Sequence, residues 1–166
     1  MVHRTSCNEC SLNPICLPLA VSIDELDELE NIMRRGRPLK RGEHLFRASD
    51  PFESVFAVRS GAVKSYVLSE EGEEQVTGFY LPGEIVGMDG ISTAHHMSSA
   101  KALETSSVCE IPFTKLEELS SKIPKLQHHF FSLMSREIQA DRELHMLLSK
   151  KSADDRIASL LLSLSA

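Results

Sequence analysis

The sequence predicts an α+β chain in which a sandwich or barrel of short β-strands is flanked by helices. Three observations carry this. Between residues 38 and 112, short segments rich in Val, Phe, Tyr and Ile are separated by turn signals at Arg41-Gly42, Ser60-Gly61, Glu70-Glu71-Gly72, Pro82-Gly83 and Asp89-Gly90. Many short strands at such spacing suit a sandwich or barrel. Ahead of them, Leu26, Leu29, Ile32 and Met33 form an apolar stripe at helical spacing, and after Pro124 a helical pattern runs through most of the remaining chain. The length of 166 residues, 42% of them hydrophobic and 25% charged, allows one full core, or one core plus an appended helix.

Taken in order, residues 1–20 are expected to be irregular, because Pro14 and Pro18 discourage regular structure. A helix is expected over 23–34, with Ser22 as N-cap and Glu25 completing a capping box. Within the β region, Val63, Ser65 and Val67 alternate with Lys64, Tyr66 and Leu68, the pattern of a strand with one buried face. Helices are expected at 113–121 and, after Pro124, at 125–149. A final amphipathic segment starts near Ser152 and reaches Ala166 within the apolar run Leu160-Leu161-Leu162-Ser163-Leu164. Such an end is expected to pack on a partner or to continue into a longer protein.

The formal net charge of -6 argues against this segment gripping nucleic acid by itself, because phosphate binding needs a concentrated basic surface. The densest basic clusters, Arg34-Arg35-Arg37 and Lys150-Lys151, read as solvated faces. No apolar run reaches membrane-spanning length, and residues 1–6 lack the apolar core of a signal peptide. The expected location is the cytoplasm, with no membrane partner. In that reducing compartment four cysteines point to metal or redox chemistry rather than structural disulfides. No nucleophile–base pair, phosphate loop or paired carboxylate motif suggests an enzyme. The seven histidines form no ligand pattern, and His95 and His96 read as a solvated loop.

Cys7, Cys10 and Cys16 give C-x2-C-x5-C in a loop, and Cys109 lies far downstream in the strand-like Ser107-Val108-Cys109-Glu110-Ile111. A cubane iron–sulfur cluster takes four thiolates converging from different directions. A flexible loop can wrap three corners while a strand supplies the fourth. Spacing alone favours such a cluster but leaves other readings open. Zinc prefers paired C-x2-C knuckles, of which only Cys7/Cys10 is one. A thiol–disulfide switch and unconnected cysteines also remain.

Four stretches resemble the fumarate-and-nitrate-reduction (FNR) family: CNECSLNPICLP (7–18), FAVRSGAVKSYVLSEEGEEQVTGFYLPGEIVG (56–87), ALETSSVCEIPF (102–113) and LLSKKSADDRIASLLLSLS (147–165). The resemblance covers nearly the whole chain. It implies a cyclic-nucleotide-binding-type β-roll (a double-stranded β-helix or jelly roll) with flanking helices and a long C-terminal dimerisation helix. The implied organisation is a cluster-binding loop at 1–20, the sensory β-roll at 21–122, the dimerisation helix at 123–150 and the start of a DNA-binding domain at 151–166. It implies a [4Fe-4S] cluster on Cys7, Cys10, Cys16 and Cys109, which oxygen converts to [2Fe-2S] or removes, with Ser11 and Ile15 tuning oxygen access beside the thiolates. The implied function is oxygen-sensing transcription regulation of anaerobic genes by a homodimer that forms when the cluster is intact. The recognition helix of the family's helix-turn-helix has no counterpart here, so contacts with promoter DNA and RNA polymerase are expected only of a full-length protein. The other class in view is a zinc-bound or metal-free β-roll acting as an interaction module.

The resemblance extends to the cyclic-AMP receptor, whose phosphate cradle corresponds to Gly83-Glu84-Ile85-Val86-Gly87. A cyclic phosphate there needs a cation, typically an Arg followed by a small hydroxyl residue. The segment His95-His96-Met97-Ser98-Ser99-Ala100-Lys101 has no Arg, so no cyclic nucleotide is expected. On the long helix, Phe131, Met134, Ile138, Asp141, His145 and Leu148 are spaced as an a/d seam, which suits a parallel two-helix dimer. Phe130, Leu133, Leu144 and Leu147 widen that stripe. Asp141 interrupts it, and on a two-fold axis it would face its own copy.

Overall fold

Ser22 opens the first helix as its sequence predicts. Its backbone N–H and its hydroxyl each donate to Glu25 Oε2 at 2.8 Å, tying down a donor at the helix start. Helix α1 spans Ile23–Ile32 and buries Leu26 and Leu29. It ends two residues sooner than expected. Met33 is extended, and Arg34–Arg35 forms a short strand, β1, paired with a strand 75 residues downstream (Arg34↔Glu110, Arg35↔Cys109). Tertiary pairing here overrides local helical preference.

The computed structural model describes residues 7, 10, 16, 17, 21–150 and 152–165. These fall into two units, one ending at Phe130 and the other beginning at Phe131. After β1 the first unit contains β2 (His44–Phe46), β3 (Ser54–Ser60), β4 (Val63–Leu68), β5 (Glu74–Tyr80), β6 (Ile85–Val86), β7 (Ser99–Ala102) and β8 (Ser107–Pro112). They form two antiparallel four-stranded sheets, in the orders β1-β8-β3-β6 and β2-β7-β4-β5. This is the expected β-roll. Its core draws on both sheets: Val58 and Val86 from the first meet Phe46, Val63 and Ala100 from the second. Each large apolar side chain buried this way contributes about 1.5–3 kcal/mol.

The alternation read in β4 holds only to Ser65. Ser65 pairs with Gly78 and Tyr66 with Val76, which leaves Thr77 as an extra residue in β5. The bulge turns Tyr66 inward, so Ser65 and Tyr66 are both buried, and the Ser65 and Thr77 hydroxyls hydrogen-bond at 2.8 Å. A bulge of this kind changes which face a strand presents.

Helix α2 (Phe113–Lys122) follows β8 directly, starting where the Phe113 N–H donates to the Glu53 carbonyl at 2.9 Å. It buries Leu116 and Leu119. Helix α3 spans Pro124–Lys150, with proline at a helix start where its missing N–H costs nothing. Leu126 and Phe130 are buried in the first unit. The second unit holds the rest of α3 and helix α4 (Ala153–Ser165). Ser152 caps α4: its Oγ accepts the Asp155 N–H at 3.3 Å. Among the described residues no helix is long and apolar enough to cross a membrane.

Gly61, in the β3–β4 turn, has φ +80, and a Cβ there would lie 2.3 Å from Ser106 Oγ and 2.7 Å from the Thr105 carbonyl oxygen. Gly61→Ala combines left-handed strain with a clash against backbone. It should destabilise the protein by at least about 2 kcal/mol, read as a lower urea midpoint with an unchanged slope.

Candidate functional site

Cys109 sits in the middle of β8, opposite Arg35 of β1 on one side and Ala57 of β3 on the other. Ladder pairing on both flanks fixes its position, and its side chain is buried. The three other cysteines come from the N-terminal segment. Cys7 is anchored: its backbone N–H donates to Glu30 Oε1 at 2.9 Å, and its thiol lies 3.6 Å from Met33 Sδ. The Cys10 N–H donates to the Cys7 carbonyl at 3.3 Å. Cys16 is half-buried beside the fully buried Leu17. All four are reduced thiols.

The structure brings these thiols into one neighbourhood. Cys16 feels the charge of Cys109, Cys7 and Cys10, and Cys7 feels that of Cys109. Burial pushes the Cys16 thiol up to about 12, opposed by a hydrogen bond from the Leu17 backbone. Burial also raises the Cys7 thiol, against the pull of the Arg35 guanidinium. No three His, Cys, Asp or Glu side chains among the described residues are grouped so as to hold a single metal ion. Ser11 and Ile15 lie outside the described residues.

The cation at this site is one the sequence reading placed elsewhere. The Arg34-Arg35-Arg37 cluster is not a uniform solvated face. Arg34 is 70% exposed, and Arg37 faces outward in a fork with Glu43 at 2.9 Å. Arg35 is only 24% exposed. Its Nη2 donates to Cys7 Sγ at 3.5 Å and to Glu30 Oε1 at 3.3 Å, and its guanidinium lies within electrostatic reach of Cys109. Burial alone would lower its pKa, but the neighbouring Cys109 and Cys7 outweigh that and raise it. The Arg35 Nε is buried with no hydrogen-bond partner among the described residues. The signal that could have found Arg35 is β1 itself, since alternation along even two strand residues sends neighbours to opposite faces.

A second cluster lies at the expected phosphate cradle. Gly87 has φ +95, and a Cβ there would lie 3.1 Å from Phe46 Cε1 and 3.3 Å from His96 Cε1. His95 is exposed as expected, but His96 is 3% exposed, which corrects the reading of both as a solvated loop. Its ring stacks on Phe46 at 3.7 Å, and its Nδ1 lies 3.0 Å from Asp89 Oδ1. Asp89 Oδ2 accepts the Met97 N–H (3.0 Å), the Ser98 N–H (2.8 Å) and the Ser98 hydroxyl (2.7 Å). A buried histidine needs such a partner, and the pair is seven residues apart, too far for a local motif to reveal.

On α3 the expected seam residues Phe131 and Ile138 are 56% and 54% exposed, Met134 is half-buried, and Asp141 and His145 are exposed. The Leu148 side chain is outside the described set.

The raised Cys16 pKa sets a pH dependence for the metal-free protein. A thiol that holds its proton more tightly when folded adds stability that is complete below the unfolded value of about 8.5. That stability is lost as pH rises toward the folded value of about 12. Under reducing, anaerobic conditions, the melting temperature of metal-free protein should therefore fall more steeply between pH 8 and 10 than that of Cys16→Ala (pH values chosen to bracket about 8.5).

Comparison with known proteins agrees with this architecture. Residues 36–122 match the cyclic nucleotide-binding domain family. The transcriptional activator protein Anr of Pseudomonas aeruginosa is 56% identical over 163 residues, covering 98% of this chain and 67% of that protein. The fumarate and nitrate reduction regulatory protein of Escherichia coli K12 is 48% identical over 159 residues, covering 96% of this chain and 64% of that protein. The chain thus spans about two thirds of these relatives, which are transcription regulators rather than enzymes. The structure of FixK2 from Bradyrhizobium japonicum superposes with a TM-score of 0.73 at 26% identity, covering 80% of this chain and 65% of that one. The chain therefore belongs to the FNR family of cyclic-AMP-receptor/FNR regulators, built on a cyclic nucleotide-binding-type β-roll.

Proposed function

We propose that the chain is the sensory part of an oxygen-responsive regulator of anaerobic gene expression, with a [4Fe-4S] cluster held by Cys7, Cys10, Cys16 and Cys109. The observation that carries the reading is the gathering of three N-terminal thiols within electrostatic reach of a fourth fixed in a strand. A zinc ion would need four sulfurs, each about 2.3 Å from one point. A cubane binds each thiolate at a different corner, so its sulfurs surround a larger volume. The donor set, four reduced thiols with a cation beside them, fits that anionic group. When bound, such a cluster supplies an oxygen-labile crosslink between the N-terminal loop and β8. Around it, Leu17 and Met33 limit water access, Glu30 holds the Cys7 backbone, and the Cys16 thiol gives up its proton on metal binding.

The groups described at the cradle are already engaged. The Met97 and Ser98 amides and the Ser98 hydroxyl are engaged by the Asp89 carboxylate, and Lys101 is bound to Glu74. An entering phosphate would have to displace one anion while facing its charge. We take the cluster, not a nucleotide, as the ligand.

The seam Phe131, Met134, Ile138, Asp141, His145 and Leu148 is the proposed homodimer interface. At a two-fold axis, burying two unprotonated Asp141 carboxylates against each other costs on the order of a few kcal/mol. That cost keeps the cluster-free protein weakly associated, and cluster assembly offsets it. In the full-length regulator the dimer then binds promoter DNA and contacts RNA polymerase, acting in the cytoplasm. The organisation proposed for this chain is a cluster loop at 1–20, the β-roll at 21–122, the dimerisation helix at 123–150 and the start of the DNA-binding domain at 151–166.

Anaerobic purification with reconstitution tests the reading. The expected product is a brown dimer with about four iron and four sulfide per chain, bleaching to monomer in air. A colourless protein with zinc or no metal, and an oligomeric state indifferent to air, would replace this reading with an interaction module. In sedimentation, Asp141→Ala should be dimeric with or without cluster, and a monomeric cluster-free variant would remove Asp141 from the switch.

A further inference from the structure

We propose that Arg35 is a positioning residue for the cluster, its guanidinium providing the positive charge that Cys7 and Cys109 share and joining the loop to the strand. The inference rests on the cluster reading above and adds a residue to it.

The geometry is built from both ends of the site. β1 pairs with β8 so that Arg35 stands opposite Cys109. The guanidinium reaches Cys7 Sγ at 3.5 Å and lies within electrostatic reach of Cys109. On its other side it is held by Glu30 Oε1 at 3.3 Å, the same oxygen that accepts the Cys7 N–H at 2.9 Å. The Cys7 backbone, the Cys7 sulfur and the Cys109 sulfur therefore all converge on the Glu30–Arg35 pair. A salt bridge to Glu30 alone would need only one of the guanidinium nitrogens. Here the same Nη2 also reaches the Cys7 sulfur, Cys109 lies within electrostatic reach, and the buried Nε remains as a donor with no partner among the described residues. Four thiolates on an iron–sulfide core give a net negative group, and a planar fork with several fixed donors is suited to it. A lysine could present the charge but not the fork. Arg34, one residue away, is largely exposed and pairs with Glu110 at 3.8 Å, so it serves as a matched control.

The experiment uses wild type, Arg35→Gln, Arg35→Lys and Arg34→Gln, each reconstituted anaerobically. One readout is iron retained under a chelator challenge; the other is the energy of the thiolate-to-iron charge-transfer band. A cation beside the sulfurs makes an electron harder to pull from them. Arg35→Gln should thus move the band to longer wavelength and lose iron roughly ten-fold faster, at the lower end of what outer partners of metal ligands usually contribute. Arg35→Lys should restore the band while retaining iron less well than wild type, and Arg34→Gln should match wild type in both.

If Arg35→Gln matches wild type in both readouts, the inference about Arg35 fails while the cluster reading stands. The charge role also fails if Gln and Lys lose iron equally with an unmoved band, since that would leave Arg35 as a mere structural clip. A wild-type protein that takes up no iron overturns both readings. Should the neutral variant misfold, Arg35→Lys decides the matter: a wild-type band supports the charge role and a displaced one overturns it.

Discussion

The pairing of β8 with β3 on one side and with Arg34–Arg35 on the other is the constraint on which the candidate site depends. β8 carries Cys109, the one cysteine whose backbone is held by ladder pairing across both flanks. The short β1 partner brings Arg35 opposite it, and α1 brings Glu30 within reach of both Arg35 and Cys7. The rest of the first unit follows from this frame. α2 continues straight out of β8, buries Leu116 and Leu119, and leads to Leu126 and Phe130 at the start of α3.

The electrostatics of the site are unfavourable without a neutralising partner. Two like charges about 4 Å apart repel by roughly 4 kcal/mol at an effective dielectric constant of 20. Four neighbouring thiolates, two of them buried, beside one guanidinium would weigh heavily against net stabilities of about 5–15 kcal/mol. In the metal-free protein the protons stay on: the Cys7 and Cys16 thiols are both raised, chiefly by burial. Packing thus favours the protonated thiol at Cys7 and Cys16, and a metal group that binds there must displace those protons. This gives a direct coupling between ligand, charge and loop position, the property a sensor needs.

Much of this was legible in the sequence. Turn signals at Gly42, Gly61 and Gly83 mark real reversals, each of these glycines having φ near or above +80. The Ser22–Glu25 cap and the proline-started long helix were also readable, because each rests on contacts within a few residues. What was not legible depended on distant partners. Arg35 is chemically the same as its neighbours Arg34 and Arg37, and only pairing with β8 turns it inward. His96 looked like its neighbour His95 until Phe46 and Asp89 closed on it. Thr77 gave no sign of being an extra residue, since a bulge shifts phase without changing composition. The four cysteines were the exception among long-range features. Their rarity and spacing suggested a shared site, though spacing alone left zinc, a thiol switch and unconnected cysteines open.

The same β-roll offers two places where a ligand could be sensed, and the side chains distinguish between them. At the cradle near Gly83–Gly87, the backbone amides and the hydroxyl that could receive an anion are already satisfied by Asp89, which is itself bonded to the buried His96. Opening that site would leave a carboxylate and a buried imidazole in need of partners, and each such loss costs about 1–3 kcal/mol. At the cysteine site the imbalance runs the other way. A buried guanidinium nitrogen lacks a partner among the described residues, and burial holds the protons on Cys7 and Cys16. A ligand entering the first site would disrupt a satisfied network, whereas a metal group entering the second would complete an unsatisfied one.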